Sequence, residues 1–163
     1  MDWNDFQKYF LDMESKLKII ITRKAEWLNR LRAYRVFIDG IESGKVSNGA
    51  SEEFITDAGL HKVQCKVNWY GSREFEVQSK PGEVSYLLVK SGMKFFWIFY
   101  ILLIAGLGFN LFYRFSHIQK PGYTTNVELV LILPAILYLL YYLTFGRKDY
   151  LIVSKDTKNV FAW

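Results

Sequence analysis

Cysteine, histidine and proline are scarce in this chain: 163 residues hold 1 Cys, 2 His and 3 Pro. The lone cysteine, Cys65, excludes an internal disulfide and fits a reducing compartment. With only His61 and His117 beside that thiol, no spacing suits zinc. No P-loop or dinucleotide fingerprint occurs. Asp39, Glu52, Glu53 and Asp57 fall at turns and edges without a pairing suited to acid–base work. The residues therefore predict no catalytic group, no metal site and no cofactor, and a protein that is not an enzyme. A large excess of one charge is also missing. The net charge of +5 comes from 21 basic against 16 acidic side chains, and residues 1–94 hold 15 against 13. Nucleic-acid binding needs a more lopsided balance and is not expected. Residues 1–11 carry Asp2 and Asp5 without a basic, then apolar, order, so no secretory signal is expected there.

Long apolar runs, by contrast, dominate the second half. Residues 95–113 and 127–145 each run 19 positions, with Asn110 in the first and Glu128 just inside the second. At 1.5 Å per residue each spans roughly 29 Å, the thickness of a bilayer's hydrocarbon core. Only a helix satisfies the backbone of so long a segment in lipid. With the short link 114–126 the two make a transmembrane hairpin over residues 94–146. A soluble protein with two buried core helices is the alternative, and the remaining sequence is too polar to cover them. The mean hydropathy of +0.04 averages an ordinary charged domain against this hairpin. Lys90 and Lys94 precede the first span, and Arg147, Lys148, Lys155 and Lys158 follow the second. Arg114, Lys120 and His117 lie between them. The bias predicts a multi-pass protein of the cell (inner) membrane with both termini cytoplasmic.

Ahead of the hairpin, residues 17–91 read as short strands parted by turns: 18–23, 35–39, 53–56, 61–69, 74–79 and 84–90. In 61–69, Val63, Cys65, Val67 and Trp69 alternate with Lys62, Gln64, Lys66 and Asn68. Gly40, Gly44 and Asn48-Gly49 supply turns. This spacing predicts a small antiparallel β-sandwich. Residues 24–34 interrupt it with helix formers, as a long connection with one helical turn. Residues 1–16 predict an amphipathic helix, with Trp3, Phe6, Phe10 and Met13 on one stripe. Residues 147–163 are expected as a cytoplasmic tail; the loose alternation from 149 either docks as a short hairpin beside the β-domain or frays. The fold class is thus an α+β membrane protein.

Several segments in order, RVFIDG (35–40), GKV (44–46), NG (48–49), EF (53–54), GLH (59–61) and NWYGS (68–72), carry a resemblance. So do NRLRAY (29–34) and RKDYL (147–151). Together they resemble small bacterial two-span membrane proteins with an N-terminal PEGA-like or immunoglobulin-like β-domain. The resemblance covers about residues 18–151. It implies a fold and a membrane location and brings no activity with it.

Candidate sites follow from local chemistry. Arg23, Lys24, Arg30, Arg32 and Arg35 cluster, offset by Glu26, with Trp27 and Tyr34 among them. They suit a membrane surface or another anionic ligand, each being worth about 1 kcal/mol near anionic lipid. A solvated surface and a nucleotide or RNA ligand are the alternatives. Ala105, Gly106 and Gly108 form a small-residue patch for close helix packing. Asn110 must face a helix or a pore, and Pro134 is a kink or hinge position. Trp97, Tyr100, Tyr138, Tyr141 and Tyr142 are interfacial anchors. His61 is expected to close a turn onto the backbone, and Cys65 to be a small buried hydrophobe. The function expected is a membrane-tethered interaction module in the bilayer, binding an unidentified protein partner or ordering a homo-oligomer. The alternative is an oligomeric pore-forming or membrane-perturbing effector gated by a ligand of the β-domain.

Overall fold

The computed structural model of the chain describes residues 2, 3, 5, 16–116, 118, 119 and 121–157. The amphipathic helix expected over 1–16 lies almost wholly outside them, as do His117, Lys120 and residues 158–163. Two compact units emerge: Met1–Gly92 together with Lys148–Trp163, and Met93–Arg147.

The first unit is a sandwich of two sheets. One contains β1 (Lys16–Arg23), β4 (Ser51–Asp57), β8 (Val84–Ser91) and β9 (Leu151–Lys155), in the order β4-β1-β8-β9. The other contains β2 (Tyr34–Ile38), β3 (Ile41–Val46), β5 (Gly59–Val67), β6 (Tyr70–Gly71) and β7 (Phe75–Ser79). Its order is β3-β2-β5-β6, with β7 also paired to β5. Period-two alternation builds the core. Leu17, Ile19 and Ile21 of β1 are buried, as are Val36 and Ile38 of β2, Val63, Cys65 and Val67 of β5, and Leu87 and Val89 of β8. Burying each such side chain is worth about 1.5–3 kcal/mol, and a one-residue slip would turn the whole set outward. Register is therefore strongly fixed.

The all-antiparallel expectation fails at one ladder. β1 and β8 run parallel, Lys18 opposite Val84 through Arg23 opposite Val89. The chain crosses to the second sheet and back before reaching β8, which supplies the long connection a parallel pair requires. Gly44 is another correction: it lies inside β3 rather than in a turn. A Cβ there would meet the Phe54 ring at 2.8 Å, so glycine lets that buried ring reach across the sandwich. The ladder also bulges between Val36 and Phe37. Trp69 leaves the inward face expected for it, because β5 ends at Val67 and Asn68, at φ 53°, turns the chain into β6.

Residues after the second helix supply β9, which pairs antiparallel with β8 from Leu87 opposite Lys155 to Ser91 opposite Leu151. The last core position of that sheet, Leu151, thus comes from the far side of the hairpin in sequence. The sandwich is discontinuous, with residues 93–147 inserted between neighbouring strands.

The second unit consists of α1 (Phe96–Phe115) and α2 (Thr124–Leu143), each 20 residues long. Both are long and apolar enough to cross a membrane. Core helices of a soluble protein would be covered. Here Ile104, Leu107 and Leu111 of α1 and Val130, Leu133 and Leu137 of α2 are exposed. Gly106 is buried against α2, where a Cβ would collide with Ile132. Phe99 stacks on Tyr138 with centroids 4.1 Å apart, and the Tyr138 hydroxyl donates to the Lys94 carbonyl. α2 continues through Pro134, whose missing N–H removes one ladder bond.

Candidate functional site

Strand register gathers strand termini from both sheets at one end of the sandwich. β1 finishes there beside the finish of β8 and the start of β4, and β9 begins opposite the last residue of β8. In the other sheet β2 starts there, beside the ends of β3 and β5. The chain leaves for α1 from this end and returns to it from α2. We call it the junction end.

The β1–β2 loop, residues 24–33, closes this end. It is not a helical turn but two successive tight turns, Arg30 N–H to Trp27 C=O and Arg32 N–H to Asn29 C=O. Asn29 sits at φ 60°, a left-handed conformation that asparagine tolerates better than most residues. Arg23 is the pillar beneath the loop. Its Nη1 donates to the Arg32 carbonyl at 2.5 Å, its Nη2 donates to the Asn29 carbonyl at 3.0 Å, and its guanidinium lies 3.6 Å over the Tyr34 ring. Being 1% exposed, Arg23 drops out of the expected surface contact and holds the loop's shape instead.

Both links to the hairpin are bound to this loop. The Ser91 N–H donates to the Glu26 carboxylate at 2.8 and 3.1 Å to its two oxygens. Asn29 Nδ2 donates to the Tyr150 hydroxyl at 2.9 Å. Where the links cross, Gly92 N–H donates to the Tyr150 carbonyl at 2.8 Å, and a Cβ on Gly92 would collide with the Asp149 carbonyl. Asp149 is clamped by Arg73 through Nε at 2.6 Å and Nη2 at 3.1 Å, which holds its carboxyl below the usual carboxylate range. Tyr150 stacks on Tyr70 at 4.5 Å, and burial pushes its hydroxyl pKa up.

Outward, the junction end is apolar and basic. Trp27 is 68% exposed, Leu31 is 96% exposed, and Trp69, packed on Tyr70, is 66% exposed. Lys24, Arg30 and Arg32 are exposed on the same loop. Trp27, Asn29, Arg30, Leu31 and Arg32 line an open groove of about 510 Å³. Arg35 stands apart on β2, half-buried, donating to the Asn68 carbonyl at 3.1 Å and lying 3.6 Å from Glu42. The five-residue cluster is thus reduced to Lys24, Arg30 and Arg32 on the loop surface.

The remaining candidates distribute as follows. Cys65 is fully buried, and burial pushes its thiol pKa up to about 12, which removes it from nucleophilic chemistry at neutral pH. His61 closes a turn, with Nε2 2.7 Å from the Asp57 carbonyl and Nδ1 2.6 Å from Asp39 Oδ2. Among the described residues no three His, Cys, Asp or Glu side chains are grouped to hold a metal. In the hairpin, Asn110 Nδ2 donates to Glu128 Oε1 at 3.2 Å, and Ala105 and Gly108 are exposed beside the buried Gly106. Trp97 and Tyr100 pack edge-on at 6.1 Å; Tyr138 and Tyr141 each pack on Tyr142, at 5.1 and 5.3 Å.

Compared with known proteins, the chain matches no protein-family model, no curated protein and no solved structure. What it does has to be argued from its own geometry.

Proposed function

We propose that this chain is a two-span membrane protein of the inner membrane whose discontinuous sandwich acts as a non-enzymatic, membrane-tethered interaction module. The observation that carries this reading is the insertion of an apolar helical hairpin between adjacent strands of one sheet. A domain built from both flanks of the hairpin requires both flanks on one side of the bilayer. The basic residues flanking the spans favour the cytoplasm for that side. Membership of the two-span PEGA-like or immunoglobulin-like set belongs to the same proposal, with a sandwich and a following hairpin as its support.

An interaction role accounts for features an anchor alone leaves unexplained. The sheet edges β3, β4 and β9 offer strand surfaces to a protein partner or a second copy. Ile41, Ile55 and Leu60 are exposed on the strands. The competing role, a ligand-gated oligomeric pore, relied on Gly106, Asn110 and Pro134. Gly106 packs against Ile132, and Asn110 bonds Glu128 within the same hairpin, so two of the three already have structural work.

The test is the mass of the complex extracted in native lipid nanodiscs, with identification of every co-purifying protein. A stoichiometric second protein, or a closed dimer of this chain without conductance, supports the module. A ring of identical subunits that conducts ions in planar bilayers rejects it in favour of the pore.

A further inference from the structure

We infer that the β1–β2 loop is a lipid-binding finger: Trp27 and Leu31 enter the headgroup region of the bilayer, and Lys24, Arg30 and Arg32 engage anionic headgroups. This rests on the hairpin being a membrane anchor and goes beyond it by giving the sandwich a second, surface attachment.

Three observations converge on the loop. It exposes an indole and an isobutyl group to solvent, at 68% and 96%, an arrangement that water disfavours and a membrane interface favours. Its exposed charges are basic, and its one carboxylate, Glu26, is turned onto the Ser91 N–H. The loop therefore presents positive charge around an apolar tip, the pattern of interfacial membrane binders. Chain length supplies the third. Ser91, held by Glu26, is five residue steps from Phe96, the first residue of α1. Five steps reach at most about 18 Å. A loop bonded to Ser91 and to Tyr150 is thereby kept within a short tether of whatever surface the hairpin enters.

Shape is prepared before contact. Arg23 and the left-handed Asn29 set the loop's course from beneath, so Trp27 and Leu31 are displayed by a buried framework. Little ordering remains to be done on binding, which favours affinity. Trp69, on the neighbouring turn of the same end, would add a second indole at the interface.

The test uses the full chain in nanodiscs of phosphatidylcholine alone or mixed with phosphatidylglycerol. An environment-sensitive fluorophore is attached at Leu31→Cys, at Ile41→Cys beyond the opposite end of β2, or at Ile104→Cys within α1. Native Cys65, fully buried, stays unlabelled. Lipids carrying a nitroxide near the headgroup or deep in the acyl chain report depth. The expected result is about a twofold loss of Leu31-label emission to the shallow nitroxide in anionic discs, with none at Ile41. The triple variant Lys24→Glu, Arg30→Glu, Arg32→Glu should abolish that loss while the Ile104 label stays quenched by the deep nitroxide. A Leu31 label unquenched in both lipids, beside a quenched Ile104 label, overturns the finger and leaves the anchor standing. An unquenched Ile104 label overturns both. A Leu31 label that ignores lipid but shifts on adding single-stranded RNA overturns the finger and assigns the loop to nucleic acid.

Discussion

The two ends of the sandwich are both closed by turns and loops, yet they differ in charge and in how they are held together. At the junction end the turns carry Lys24, Arg30 and Arg32 against Glu26; at the far end Asp39, Asp57 and Glu83 stand against Lys80. Charge therefore reverses along the domain. The bonds differ as well. The far-end bonds made by side chains join strands already paired, or close neighbours: Asp39 Oδ1 accepts the Lys62 N–H at 2.8 Å, His61 bridges Asp39 and Asp57, and the Lys80 N–H donates to Glu83 at 3.0 Å. Junction-end bonds join residues far apart in sequence: Glu26 to Ser91, Asn29 to Tyr150, Arg73 to Asp149. One end ties its turns to the neighbouring strands of the same sheet. The other fastens the hairpin's entry and exit into a single domain, and losses there should be larger.

Breaking the pillar tests this most severely. Arg23→Ala leaves the Asn29 and Arg32 carbonyls without their charged donor and opens a void beneath Tyr34. It is predicted to cost about 3 kcal/mol, read as a fall in thermal midpoint of the detergent-solubilised protein. Gly92→Ala drives a methyl into the Asp149 carbonyl at the crossing of the links. The expected loss is about 2–3 kcal/mol, with residues after 148 becoming sensitive to protease. Its far-end counterpart is Gly82→Ala. Gly82 has φ 74° and open space around it, so only backbone strain opposes the methyl, costing about 1 kcal/mol. If Gly82→Ala proved as damaging as Gly92→Ala, the contrast between the ends would collapse.

A smaller, pH-dependent effect belongs to the far end. The Asp39 hydrogen bond, ahead of the other influences, raises the His61 pKa above 6.5. The His61 hydrogen bond, then the Lys62 N–H, lowers that of Asp39 below 3.8. A raised histidine contributes stability fully present below its unfolded value and lost as pH rises through the folded one. A lowered aspartate contributes above its unfolded value and loses that contribution as pH falls through the folded one. The pair should therefore help most between about pH 4 and 6.5. His61→Gln is expected to cost less than about 1 kcal/mol there, since the pair is solvent-screened, and the charge-dependent part of that loss should vanish at alkaline pH. Urea titrations of both proteins across pH would show it. Smallest of all, Trp27→Ser should leave stability within about 0.5 kcal/mol, because the side chain is 68% exposed and little of it is withdrawn from water.

The same contrast explains what could be read from the sequence. Local features were legible: the alternation Val63, Cys65, Val67 named the buried face of β5, Asp39-Gly40 named a tight turn, and His61 after Gly59-Leu60 named an imidazole bonded to the backbone of its own turn. The two apolar runs named the helices within a few residues. Arg23 misled because a basic residue ending a β-branched strand looks like surface, and only Tyr34 and two loop carbonyls make a buried place for it. Gly44 misled because its reason, the Phe54 ring, comes from another sheet. β9 was hardest. Leu151, Ile152 and Val153 form a plain short strand, but the partner that makes it part of the domain, β8, precedes the whole hairpin. No local pattern reports that pairing. Trp27 and Leu31 stood in view among arginines, yet only the fold shows them lifted clear of the core.

Closure of the sandwich across the hairpin is the central claim, and a disulfide tests it directly. Leu88 and Ser154 are paired across β8 and β9. Opposed residues in such a ladder lie about 4.5–5.5 Å apart at Cα, within disulfide reach. The double variant Leu88→Cys, Ser154→Cys should oxidise to an intramolecular bond in native membranes, joining the fragments made by protease cleavage in the 116–126 link. The out-of-register pair Tyr86→Cys, Ile152→Cys should not. Efficient bonding of the mismatched pair, or none by the matched one, would contradict a sandwich completed from both sides of the hairpin.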